Sequence, residues 1–457
     1  MDAISAKLPP GTDGLPPERR RWAVLAIFTA LAMAALDTAI ANIALPAIAA
    51  DLNTTPADVI WVVNVYQIAM VTTLLPFAAL GEIIGHQRIY LWGLLLFIVA
   101  SLACALAWSL PTLLIARVLQ GLGAAGVMSV NTALVRFVYP SNLHGRGFGN
   151  NALVVATAFT LGPALASGIL AVASWPWLFA INIPFGVAAM LIGMKTLPPT
   201  PRAAHAFDIP GALLTSISLC LFIVGIGSAA HKASGLAVAL ELAGAVIFGA
   251  LLIRRQAGHP APMLPVDLFR RPMFSLSVAT AVCTFAVQGL AFVSLPFYFE
   301  DVLHRTQVET GFFMMPWSIV VGLMAPIAGR LSDRHSAGML GGLGLLLLAI
   351  GMALLATLPP SPSVTDIVWR MAICGCGFGF FQSPNMKAIM GSAPAGRSGG
   401  ASGIVATARL IGQTTGAALA ALCFALADRE GATLALALGA GFGALGCVMS
   451  FMRLTVR

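Results

Sequence analysis

Long apolar stretches, repeated along the whole chain with only short gaps between them, constrain its fold more than any other feature. They lie near 22–44, 57–80, 88–108, 111–138, 147–172, 177–196, 209–229, 235–253, 272–299, 310–329, 338–358, 365–388, 400–426 and 432–452. About 20 residues is what an α-helix needs to cross the hydrocarbon layer of a bilayer. Backbone in that layer satisfies its hydrogen bonds only as helix or closed barrel, and these runs are about twice the length of a barrel strand. The expectation is an all-α integral membrane protein with fourteen transmembrane helices. Composition agrees: 59% of the 457 residues are hydrophobic and 9% charged, against about a quarter charged in a soluble domain.

The net charge of +8 does not point to nucleic acid, because the basic residues sit between the apolar runs instead of clustering on one face. With both termini in the cytoplasm, nineteen of the 25 Lys and Arg residues fall on that side and three outside, as the positive-inside rule requires. The other three, Arg117, Arg370 and Arg409, lie within apolar runs, where charge is costly and marks function. The seven cysteines also lie in the runs and imply no disulfide framework.

Short motifs recur at one offset. Gly145-Arg146-x-x-Gly149 and Gly396-Arg397-x-x-Gly400 are 251 residues apart, as are the loop acids Glu82 and Asp333. Each correspondence skips an even number of spans, so the copies share one orientation. Parallel repeats of this kind are a transporter architecture, with the substrate site near the midplane between the halves. The chain divides into a cytoplasmic segment 1–21, a six-helix half 22–196, two inserted helices with linkers 197–271, a second six-helix half 272–452 and a cytoplasmic C-terminus 453–457.

The stretch Leu36-Asp37-Thr38-Ala39-Ile40-Ala41-Asn42-Ile43-Ala44-Leu45-Pro46 resembles the first-helix signature of the fourteen-helix drug:proton antiporters, the EmrB/QacA type, within the major facilitator superfamily. Arg117-Val118-Leu119-Gln120-Gly121-Leu122-Gly123 resembles the fourth-helix motif of the superfamily, and Gly162-Pro163 the antiporter motif, followed by Trp175, Phe179, Asn182 and Pro184. The loop motif departs from the family pattern in its first copy, with Ala78 and Glu82 where glycine and aspartate are usual, followed by Gly85 and Arg88. The second copy, Gly329-Arg330-Leu331-Ser332-Asp333-Arg334, is closer. The resemblance implies a bacterial inner-membrane protein, driven by the proton gradient without another cofactor, that exports hydrophobic and often cationic drugs or biocides.

The residues fit that mechanism. Burial disfavours the charged form of a carboxyl, so Asp37 in the first span suits a proton carrier. Arg117 and Gln120 are one helical turn apart and share a face, from which the arginine can reach that acid. Glu82 with Arg88 and Asp333 with Arg334 are placed to form cytoplasmic gate loops that latch and release as the halves rock. Asn42, Asn64, Tyr66, Gln67, Asn131, Gln288, Trp317, Gln382, Asn385 and Arg409 are candidates for a mostly apolar substrate cavity. Glu241, the only acid in its span, belongs to an inserted helix and reads as a local contact. Gly121-Leu122-Gly123-Ala124-Ala125-Gly126 matches a dinucleotide fingerprint formally, but no strand precedes it, so it reads as close helix packing.

The histidines fall in loops or at span ends, which implies no metal site, and the sequence has no P-loop pattern. The partners expected are the bilayer, protons and the small substrate, with a monomer sufficient; a periplasmic adaptor is compatible but not encoded. Transport of a native metabolite on the same scaffold is the first alternative. A membrane sensor or enzyme is the second. The short gaps between spans leave no room for a signalling domain, and no reactive cluster can be assembled.

Overall fold

The computed structural model describes the chain apart from residues 1–12, 55, 60, 205, 231–233, 258–265, 306, 360, 395–397, 428–429 and 456–457. The described residues are helical with connecting turns. In order the helices are α1 (Pro17–Asp51), α2 (Pro56–Val59), α3 (Trp61–Ile84), α4 (His86–Ala105), α5 (Leu110–Val138), α6 (His144–Val172), α7 (Pro176–Ala180), α8 (Asn182–Thr196), α9 (Ile209–Ala230), α10 (Gly235–Ala257), α11 (Val266–Phe269), α12 (Pro272–Phe297), α13 (Gln307–Leu331), α14 (Ala337–Ala356), α15 (Val364–Ser392), α16 (Ser398–Ala427) and α17 (Gly431–Met452). Among the described residues, 11 of these segments are long and apolar enough to cross a membrane, and Ile209–Gly225 is a shorter apolar one. Those criteria do not match all fourteen spans expected from the sequence.

Glycine sets the tightest crossings. A Cβ on Gly123 would lie 2.5 Å from the Phe97 nitrogen, and one on Gly93 would lie 2.8 Å from Gly126. The apparent nucleotide fingerprint is therefore the face through which α5 packs on α4, with Gly121 pressed against Tyr66 of α3. The same contact recurs at the repeat offset in the second half, where a Cβ on Gly344 would meet the Gly377 carbonyl at 2.7 Å, joining α14 to α15. The repeat is thus a repeat of packing as well as of motifs.

Two seams join the first half to the second, α6 against α13 and α15, and α16 against α3 and α5. The helices between them, α9 and α10, pair with each other, and α9 docks on α3 and α16. That docking has a specific chemical cause. Pro76 interrupts α3 and leaves the carbonyl of Thr72, four residues earlier, without its helical donor. Ser216 of α9 donates to it at 2.9 Å. At the end of the pair, Asp208 accepts from Arg255 at 2.8 Å, Gln256 at 2.7 Å and the Gly211 amide at 3.1 Å. Burial pushes the Asp208 carboxyl up, but these donors outweigh it and hold it below the usual carboxylate range.

Both ends of the described chain are tied into the bundle. Arg19 begins α1, is 7% exposed and donates to the Thr196 carbonyl that ends α8, at 3.0 Å. Arg453 follows α17 but is not a free tail residue: it is 2% exposed and reaches Asn385 at 2.7 Å and Ser277 at 3.1 Å.

Candidate functional site

Three polar regions emerge. The first gathers around Asp37 in α1, which is 3% exposed. Arg117 of α5, with no exposed surface, gives Nη1 to Asp37 Oδ2 at 2.5 Å and to Gln120 Oε1 at 2.6 Å, and Nε to the Val62 carbonyl at 2.9 Å. Gln120 donates to Asp37 Oδ1 at 2.8 Å and to Ser101 at 2.9 Å, and Asn182 donates to Asp37 Oδ1 at 3.3 Å. The guanidinium lies 4.2 Å from the Tyr66 ring centre and 5.5 Å from that of Phe179, within cation–π range. The expected grouping of Asp37, Arg117 and Gln120 is present. Every contact named to the carboxylate comes from a donor, with Oδ1 accepting from Gln120 and Asn182 and Oδ2 from Arg117. Thr38 turns back to the Ala34 carbonyl at 3.1 Å. The side chain of Asn42 lies outside the described residues. Ser101 carried no sequence signal; only the packing of α4 against α5 brings it to Gln120.

The second region is a seam at one end of the bundle, where the two loop acids cross between repeats. Asp333, following α13, accepts from the Gly145 amide that opens α6 at 3.2 Å and from Lys387 of α15 at 3.0 Å, with Arg146 at 3.8 Å. Glu82 of α3 accepts from the Gly400 amide at the start of α16 at 2.7 Å. Carboxylates at helix N-termini meet unpaired amides and the positive end of the helix dipole. These contacts join each acid to a residue far along the chain, whereas the neighbouring Arg88 and Arg334 are exposed. Gly85 starts α4 at φ +108°, a conformation that needs glycine. Gly329 and Gly145 meet backbone to backbone: a Cβ on Gly329 would collide with the Gly145 carbonyl oxygen. Gly396 and Arg397 lie outside the described residues.

The third region is a cavity of about 220 Å³ bordered by α6, α12, α13, α15 and α16, with a smaller pocket of about 60 Å³ adjoining it. Phe285, Phe292, Trp317 and Phe378 form an aromatic wall, with Trp317 edge-on to Phe292 at 5.6 Å between ring centres. Gln288 accepts from Gln413 at 2.8 Å, and Gln382 and Arg409 line both spaces. Asn131, bonded to Asn151 at 2.8 Å, and Asn385, bonded to Arg453, border the smaller pocket. No carboxylate lines either space among the described residues. The expectation of a cationic substrate thus finds no counter-charge here; the charged group in the lining is Arg409.

Other candidates fall elsewhere. Asn64 and Gln67 are half-buried on α3 and line neither space. Tyr66 serves Arg117. Gly162 is buried, whereas the Pro163 side chain lies outside the described residues. Arg370 pairs with Asp366 of its own helix at 3.1 Å. Glu241 of α10 abuts Gly225 of α9, at the inserted pair's own interface.

Relatives place this arrangement. An uncharacterized transporter of Escherichia coli, YebQ, is 49% identical over 97% of both chains. The riboflavin transporter RibZ of Clostridioides difficile is 30% identical over 89% of each, and the tetracenomycin C resistance and export protein of Streptomyces glaucescens is 30% identical over 88% of this chain and 75% of its own. The human organic anion transporter MFSD10 shares the fold at a TM-score of 0.70, with 16% identity, over 95% of this chain and 100% of its own. The family model of the Major Facilitator Superfamily matches residues 27–417. The chain is a multi-pass membrane transporter that belongs to the Major Facilitator Superfamily.

Proposed function

We propose that this transporter is a proton-driven exporter of hydrophobic aromatic compounds, working by alternating access on the fourteen-span plan, in a cytoplasmic membrane with both termini inside. The observation that carries the reading is the buried Asp37 carboxylate, surrounded by the donors of Arg117, Gln120 and Asn182. An intramembrane acid in a site that rearranges with the halves is a proton relay. Protonation frees Arg117, whose charge must then find another partner, so proton occupancy biases which arrangement of the halves is stable.

The seam of Glu82 and Asp333 lies at the cytoplasmic end in this orientation and closes the cavity from that side. Rocking separates Gly145 from Gly329 and trades these contacts for an inward opening. The aromatic wall supplies apolar contact without demanding one shape of substrate.

Proton movement in proteoliposomes, evoked by a panel of aromatic compounds, tests the proposal. Wild type is expected to respond and Asp37→Asn to lose the response while still binding substrate. Equal flux in both would remove Asp37 from the coupling. A second reading, transport of a native metabolite, is favoured by the relative named as a riboflavin transporter. Including riboflavin in the panel separates the two: a response to it alone selects the metabolite reading.

A further inference from the structure

Arg409, half-buried, stands apart from the other charges inside the helical bundle among the described residues. It lies within α16 and lines both the cavity and the adjoining pocket. Its Nε has no hydrogen-bond partner, and Nη2 meets only the Met128 sulfur at 4.0 Å. Among the described residues, no carboxylate pairs with it. An arginine stays charged at every physiological pH, and a half-buried charge among apolar helices with no protein counter-ion is costly. Such a group persists where a partner arrives from elsewhere. Trp317 adds a second orphan donor: it is 1% exposed, lines the same cavity and leaves its Nε1 unpaired. The orphan acceptor in the adjoining pocket is Asn131 Oδ1, whose partner in a ligand is a donor.

We infer that Arg409 is the anchor for an anionic head group, and that the substrates of this cavity are amphipathic aromatic anions, a carboxylate, sulfonate or phosphate attached to a flat ring system. The guanidinium fork matches two oxygens of such a group, while Phe285, Phe292, Trp317 and Phe378 take the rings. Trp317 Nε1 fits a further acceptor on the ligand. The inside-negative membrane potential itself drives such an anion outward, and so adds to the proton gradient in the exporting direction. This rests on the transport reading above for its cavity, but not on Asp37.

The test uses three probes of one shape and different charge: naphthalenesulfonate, naphthalenesulfonamide and naphthylmethyl-trimethylammonium. Binding to the purified full-length protein is measured for wild type, Arg409→Gln and Arg409→Lys. The sulfonate is expected to bind most tightly to wild type. It should weaken by roughly thirtyfold or more in Arg409→Gln, as for removal of one member of a buried charge pair. Arg409→Lys should recover part of that loss. The neutral sulfonamide is expected to bind Arg409→Gln as it binds wild type, which also reports that the variant is folded. Preference for the ammonium probe, sulfonate binding indifferent to Arg409→Gln, or no sulfonate binding at all would each overturn the inference. Proton flux in proteoliposomes is read separately. Flux evoked by the sulfonamide without preference for the sulfonate leaves the exporter standing and removes the anion. Tight sulfonate binding without any proton flux leaves the anion site standing and removes the proton coupling.

Discussion

Arg117 of α5 and Arg409 of α16 both lie within apolar helices, but their surroundings differ in kind. Arg117 is enclosed by the Asp37 carboxylate, the Gln120 amide, a backbone carbonyl and two aromatic rings. Arg409 faces a cavity with a thioether as its one hydrogen-bond contact. A charge matched inside the protein serves the protein's own conformational equilibrium, whereas a charge left unmatched at a cavity serves what enters it. The seams show a related asymmetry. On the α6–α13 side Gly329 meets Gly145, while the equivalent place on the α3–α16 side holds Ala78, whose Cβ lies 2.7 Å from a Cβ built on Gly403. On the first side two glycines meet, and on the second a glycine packs against an alanine methyl group.

Substitutions sharpen these contrasts in descending order of effect. Arg117→Leu strands the Asp37 carboxylate without its counter-ion and should cost about 3–5 kcal/mol, seen as a lowered thermal unfolding midpoint in detergent. A midpoint near wild type would mean that Asp37 is not held as a buried ion. Gly329→Ala drives a methyl group into the Gly145 carbonyl and should cost about 1–3 kcal/mol, whereas Ala78→Gly on the other seam should change stability by less. Equal effects would erase the asymmetry between the seams.

Arg409→Met removes a charge that has no partner, so stability should hold within about 1 kcal/mol or rise even though anion binding is lost. A large destabilisation would show that Arg409 is matched inside the protein after all. The pair of Asp208 with Arg255, whose side chains are 2% and 41% exposed, supplies a reference outside the spans. Asp208→Asn loses the charge-assisted bonds from Arg255 and Gln256 and should lower the unfolding midpoint. The Asp208 carboxyl is lowered in the folded protein, so its contribution is complete above the ordinary carboxylate range and disappears as pH falls through the lowered value. An acid titration of the unfolding midpoint, wild type against Asp208→Asn, should converge at low pH.

Much of this is legible in the order of residues alone. The run lengths imply helices, and the constant offset between motif copies anticipates the matching Gly93–Gly126 and Gly344–Gly377 contacts. The spacing of Arg117 and Gln120 on one helix puts both within reach of Asp37. The features that sequence reasoning misses share a cause. Proximity along the chain pairs each loop acid with its nearest arginine, yet helix N-termini distant in sequence hold both acids. Polarity alone assigns Asn64 and Gln67 to the cavity, and α3 turns them elsewhere.

The linear order of apolar runs thus dictates a helical membrane protein and the neighbours within each helix, because length and the helical period act locally. Which face each helix turns inward was decided by the assembled bundle. A helix that is apolar all round has no polar face to orient it, since lipid tails and protein interior are alike to its side chains. Rotation is then settled by close contacts such as Gly123 on Phe97, and by single hydrogen bonds such as Ser216 to the carbonyl that Pro76 leaves open. The pairing of Arg117 and the solitude of Arg409 follow from those rotations.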